Sequence, residues 1–268
     1  MSVRARLRRA RWVTLGIWLF QTLLAASLAL PLLAIEQPPA PAVRVGVADW
    51  IALLRLGTNA AESGPGLALL PLSASALSAP WLCLVWLLAL ERSGSFADHA
   101  RLACARWRSS YLLALYGLAC LVALSFAATR CAGWLAAALA LDDRGHDLLL
   151  LGCAAAWGCG VCAVLTVLEL AFVGISRGLA GPRLALRAAL ARNGWSIARR
   201  VGVRMLLGAL QLALFALATL LPRAWLGAGI ATAACVFSTT HAASLVSTCV
   251  RAAWLAWLLE TTDAPQPT

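Results

Sequence analysis

The stretch GISRG at 174–178 carries the G-x-S-x-G spacing that, in hydrolases, presents a serine hydroxyl to a base, and His241 supplies an imidazole further along the chain. Cys159 and Cys162 stand in a C-x-x-C, the spacing of redox loops and half of a zinc site. Glu169 is an acid set inside an apolar run, and an ionisable group at membrane depth is by default a functional hypothesis. Two polar stretches add hydroxyls: Ser73, Ser75 and Ser78 between Pro71 and Pro80, and Ser238, Thr239, Thr240 and Ser244 around His241. Three chemistries follow from these types and spacings: nucleophilic hydrolysis, thiol or metal chemistry, and a polar site within a membrane.

The elements that would position these residues decide between them. The chain has 268 residues, 62% hydrophobic and 12% charged, with a mean hydropathy of +0.83. A soluble domain is nearer 45–50% apolar and about 25% charged, so this composition suits lipid. The net charge of +11 comes from twenty-two arginines, with no lysine, against eleven acids. Nucleic-acid modules are not this apolar, so no nucleic acid is expected. Anionic membrane lipids are the expected partner of the charge. Other membrane subunits or a second copy of the chain are the further candidates.

Six apolar runs, at 12–33, 67–90, 111–128, 148–173, 205–221 and 225–250, reach or slightly exceed the length needed to cross a bilayer. Long period-two alternation is absent, which excludes a β-barrel. The expected fold is therefore all-α, a polytopic membrane protein of one integral domain over 1–268 with six transmembrane helices. With the N-terminus inside, seventeen arginines fall on the cytoplasmic side and five (Arg44, Arg55, Arg130, Arg144 and Arg223) outside. The positive-inside rule selects this N-in/C-in orientation, in a bacterial inner membrane, with Arg251 in the cytoplasmic tail. The first apolar run exceeds a signal peptide's core, so an uncleaved first span is expected.

Amphipathic cytoplasmic helices are expected between spans 2 and 3 (FADHARLACARWRSS, 96–110) and between spans 4 and 5 (PRLALRAALARNGWS, 182–196). In the second, Pro182 suits a first helical turn, and Asn193-Gly194 reads as a break. Arg183, Arg187 and Arg192 are candidate contacts to lipid headgroups, although loop arginines that only fix topology would look the same. RLACAR at 101–106 lines up with RAALAR at 187–192, which raises a parallel internal repeat. Outside, the segments 48–57 and 131–143 are too short to span and read as interfacial or re-entrant helices.

Placed on these elements, the opening motifs lose most of their chemistry. Ser176 closes the fourth span at its cytoplasmic end, where no strand-to-helix elbow exists. Six spans with a serine and a histidine resemble rhomboid proteases, but that family's serine opens its helix on the opposite side. The C-x-x-C lies mid-span with no second pair, so it reads as packing, beside a small-residue stripe of Gly152, Ala156 and Gly160. No enzyme activity, metal or cofactor is expected. Glu169 lies about one turn from the cytoplasmic end, where Arg177 or an arginine of the following helix can pair with it; a coupling role is the alternative.

The leading expectation is a non-catalytic scaffold or accessory component of an inner-membrane complex. The alternative is a small transporter or permease subunit whose polar interior, between spans 2, 4 and 6, would hold Ser73, Ser78, Glu169 and His241. Finally, ALRAALARNGWSIARR at 185–200 and TCVRAAWLAWLLE at 248–260 resemble bacterial six-span membrane proteins. They are similar to the membrane domain fused to some glycerophosphodiester phosphodiesterases. The resemblance implies a multi-pass fold and, without the fused catalytic domain, no phosphodiesterase activity.

Overall fold

The computed structural model describes residues 2–35, 65–139, 143–179, 181–191, 194–226 and 230–263. Among them the chain is all-α: α1 (Val3–Ile35), α2 (Pro65–Glu91), α3 (Phe96–Ala105), α4 (Trp107–Leu139), α5 (Asp143–Ser176), α6 (Pro182–Leu190), α7 (Gly194–Leu226) and α8 (Ile230–Asp263). Four stretches are long and apolar enough to cross a membrane: Trp107–Leu139, Asp147–Ser176, Ser196–Leu221 and Cys235–Thr262; Leu77–Glu91 is a shorter apolar helix. A helix of 33 residues is about 50 Å long, well beyond the roughly 30 Å of a hydrocarbon core.

The long helices overrun the apolar runs, and the reason differs at each end. α4 continues through residues 131–139, so the segment expected to lie apart in the interface is the end of one continuous helix. No proline interrupts it, and Arg130 folds back over the Phe126 ring at 5.2 Å instead of ending the helix. α8 runs to Asp263, which puts Arg251 inside a helix rather than in a tail. The segment 48–57 and Asn193 lie outside the described residues; α7 begins at Gly194.

Pro71 and Pro80 both lie within α2. A mid-helix proline removes one hydrogen bond and crowds the turn before it. Tyr111 on α4 donates its hydroxyl to Leu77 O in that turn, which ties α4 to α2 where the ladder is weakened.

The short helices are built by their caps. Ser95 and Asp98 form a reciprocal capping box at the start of α3, with Asp98 N to Ser95 Oγ at 3.3 Å and Ser95 N to Asp98 Oδ2 at 3.0 Å. The Ser95 hydroxyl also donates to Asp98 Oδ2 at 2.7 Å, and this bond, then the one from the Ser95 backbone N–H, holds the Asp98 carboxyl below its ordinary pKa. α6 starts with Pro182 at its first turn, as its sequence predicts, and buries Ala185 and Ala189.

The packed core sits at one end of the bundle. Leu84 to Leu90 of α2 are buried on every side, against Leu170–Val173 and Ile175 of α5, Trp254–Ala256, Leu258 and Leu259 of α8, and Ala10 and Ile17 of α1. A helix apolar all round that is also surrounded is the centre of its bundle. α2 is that centre.

Candidate functional site

The G-x-S-x-G segment is a helix terminus. Leu179 N donates to Gly174 O at 3.1 Å and Gly178 N to Ile175 O at 3.0 Å, the paired bonds of a Schellman motif. Gly178 has φ +100°, a left-handed conformation that L side chains resist, which is why glycine stands there. Gly174 gives room of a different kind: a Cβ would lie 2.8 Å from Leu179 Cδ1, and that side chain would have to shift. Ser176 donates to Val173 O at 2.9 Å and to Glu91 Oε2 at 3.2 Å. His241 bonds within its own helix, Nδ1 to Phe237 O at 2.8 Å, and stacks on Phe237. It lies eighteen residues, about 27 Å, along α8 from Leu259, the residue whose carbonyl meets the neighbouring Arg177. Serine and histidine therefore lie at different depths in the bundle, too far apart to pair.

Around that terminus the arginines do one recurring job. The ends of three long helices on this face, α2, α5 and α8, have carbonyls met by guanidinium groups from elsewhere. Arg9 donates to Glu91 O at 3.1 Å, and Arg106 to Ile175 O and Ser176 O at 2.9 and 2.5 Å. Arg177 donates to Leu259 O at 3.3 Å and Arg200 to Thr261 O at 3.4 Å. The last carbonyls of a helix lack intrahelical partners and carry the negative end of its dipole, so a cation there is favourable. Arg177 also pairs with Glu91 at 2.9 Å, linking α5 to α2. The sequence offered Arg177 to Glu169; the structure gives it to Glu91.

Glu169 has other partners. Its carboxylate, 7% exposed, accepts from Arg204 of α7 and from Trp254 Nε1 of α8 at 2.7 Å. Arg251 of α8 approaches its second oxygen at 3.9 Å, and the Arg204 guanidinium lies over the Trp254 ring. One acid thus joins α5, α7 and α8. Where water is excluded a lone charge is costly, whereas a carboxylate with several donors is satisfied. The cluster holds two arginines for one carboxylate. It therefore keeps one positive charge in excess.

The other sequence candidates scatter. Ser78 lies on the lining of a cavity with Gln21, Cys83, Trp86 and Arg251. The side chain of Ser73 lies outside the described residues, as does Arg192. Arg183 and Arg187 are exposed on α6, beside exposed Leu184 and Leu190 and opposite the buried Ala185 and Ala189. Cys159 donates to the Met205 thioether at 3.2 Å, so it packs α5 on α7. No cluster of three metal-ligating His, Cys, Asp or Glu side chains occurs among the described residues.

Sequence reasoning missed Glu91, Arg106, Arg251 and Trp254. For Arg251 a signal existed: the apolar AAWLAWLLE that follows it continues the helical pattern without a break. His99 was also passed over. It is buried on α3, its Nδ1 lacks a hydrogen-bond partner, and burial pushes its pKa below the ordinary value of 6.5. Comparison of the chain with protein families, curated proteins and solved structures finds no match.

Proposed function

We propose that this chain is a non-catalytic, six-span protein of the bacterial inner membrane, with both termini in the cytoplasm, acting as a scaffold or accessory component of a membrane complex. The observation that carries this reading is the occupancy of Glu169. Arg204 and an indole hold its carboxylate, with Arg251 at 3.9 Å, so this acid deep in the bundle serves to fix three helices rather than to wait for a proton or substrate. α1 and α2 provide the first two spans. The arginine-capped face is the cytoplasmic one, where positive residues accumulate. On that face α6 lies along the membrane, and Arg183 and Arg187, with Arg192 after them, meet anionic headgroups.

Two measurements test the proposal. Reporters fused after Ser110, Arg200 and Thr268 read cytoplasm, and those after Gly57 and Asp143 read periplasm; a periplasmic signal at Arg200 removes the topology. In liposomes under an imposed proton gradient, the purified protein passes no protons beyond empty vesicles. The alternative, a permease subunit with its polar site between spans 2, 4 and 6, is favoured instead by a flux that Glu169→Gln abolishes at unchanged protein abundance.

A further inference from the structure

The excess positive charge beside Glu169 has a direction. Arg251 is 50% exposed, and its ion contact among the described residues is the long one to a carboxylate already held by Arg204 and Trp254. A guanidinium carries five N–H donors in a planar fork. Arg251 lines a cavity with Gln21 and Ser78, which add an amide and a hydroxyl, and with Trp86 of α2. This cavity shares Ile17, Phe20, Ser78 and Leu82 with an apolar groove of about 410 Å³ between α1 and α2. Cys83, on the cavity wall, lies eight residues before the end of α2, about 12 Å below the capped face. A cation at that depth, short of a full partner and open to a cavity, calls for an anion.

We propose that Arg251, with Gln21 and Ser78, binds a phosphate-type oxyanion, presented either as the headgroup of an anionic phospholipid whose acyl chain follows the α1–α2 groove or as the free ion. The fork of Arg251 takes two oxygens side by side, which is the geometry of phosphate recognition. The anion neutralises the extra charge that Glu169 leaves. This site is separate from the exposed arginines of α6 and stands whether or not the scaffold reading does.

The test uses the full chain purified in a neutral detergent and follows its unfolding midpoint. Phosphatidylglycerol is added in one arm, phosphatidylcholine in a second, and inorganic phosphate in a third, at matched ionic strength. Near-saturating ligand raises the midpoint of the wild type by about 5 °C or more. A rise with phosphatidylglycerol but not phosphatidylcholine or phosphate identifies the lipid source; a rise with phosphate alone identifies the free ion. Arg251→Gln abolishes the rise, while Arg101→Gln, an exposed change on α3, keeps it in full. Should Arg251→Gln not yield folded protein, Gln21→Leu fills the cavity and removes the rise while leaving Arg251 on Glu169. No rise in any arm overturns the proposal. So does a full rise in Arg251→Gln or Gln21→Leu, or an equal loss in Arg101→Gln.

Discussion

At the capped end of the bundle Leu84 to Leu90 are buried on every side, and the ends of α2, α5 and α8 are met by guanidinium groups. Toward the other end Phe126, Trp134, Leu151, Leu212 and Phe237 each expose more than three-fifths of their surface. Both regions are rich in large apolar side chains, so hydrophobicity alone does not explain the difference. In lipid a leucine gains little by leaving acyl chains for another helix; association there rests on close packing and polar contacts. The capped end has both. Between the far parts of α4 and α5 the described residues show a close approach, Gly160 under Leu124, and a side-chain bond, Trp157 Nε1 to Ser125 Oγ at 3.1 Å.

That comparison breaks most readily at the two glutamates. Glu169→Gln leaves two arginines without their carboxylate and is expected to lower stability by about 3–5 kcal/mol. Glu91→Gln removes a partly buried pair, its side chains 28% and 19% exposed, and is expected to cost less, about 1–2 kcal/mol. Denaturant titrations in one detergent compare them. Equal losses would show that depth and burial do not set the value of these pairs.

Glycine substitutions sharpen the packing half of the comparison. A Cβ on Gly117 would meet Leu168 Cδ1 at 2.3 Å and one on Gly160 would meet Leu124 Cδ2 at 2.8 Å, whereas Gly152 meets nothing within 4 Å. Leucine at Gly117 or Gly160 is expected to cost about 1–3 kcal/mol, with Gly117 the worse. Gly152→Leu should stay within about 0.5 kcal/mol. Thermal melts of the three variants decide; a damaging Gly152→Leu would mean that a partner helix covers that stripe.

The smallest effect is a pH dependence at α3. Burial lowers the His99 pKa, so the folded state resists protonation. Above the ordinary value of 6.5 both folded and unfolded forms are neutral and His99 imposes no penalty. As pH falls through 6.5 the unfolded chain takes up the proton first, and stability declines until the folded pKa is passed. The melting midpoint of the wild type should therefore drop between pH 7.5 and pH 5 by more than that of His99→Phe. Parallel curves would remove His99 as the cause.

Helix existence was readable because apolar runs of this length have few other solutions. Helix ends were not. Residues 131–139 look like a short surface segment only if Arg130 must end a span, yet a long arginine can fold back over Phe126 and let the helix run on. Arg251 looked like a tail residue because hydropathy windows score a charge without knowing its partner. Glu169 was legible as an isolated acid, but its partner was sought in Arg177 or the following helix, whereas Arg204 lies one helix further on, in α7. Which of several arginines reached it depended on how α7 crosses α5, and no local pattern encodes that. The G-x-S-x-G spacing has a structural use: two glycines flanking a polar residue suit a helix end, one giving room for Leu179 and the other the left-handed turn.

The arginine caps also have an order in time. In every one the donor comes earlier in the chain than the carbonyl it meets: Arg9 before Glu91, Arg106 before Ile175, Arg177 before Leu259, Arg200 before Thr261. Synthesis runs from the N-terminus at roughly 5–20 residues per second, so Arg9 is made about 4–16 s ahead of Glu91, 82 residues later. Each of these three long helices thus arrives where its cation has already been made. A ribosome-bound intermediate need not hold a bare helix end while waiting for later chain, and the nascent protein can be locked pair by pair as it emerges.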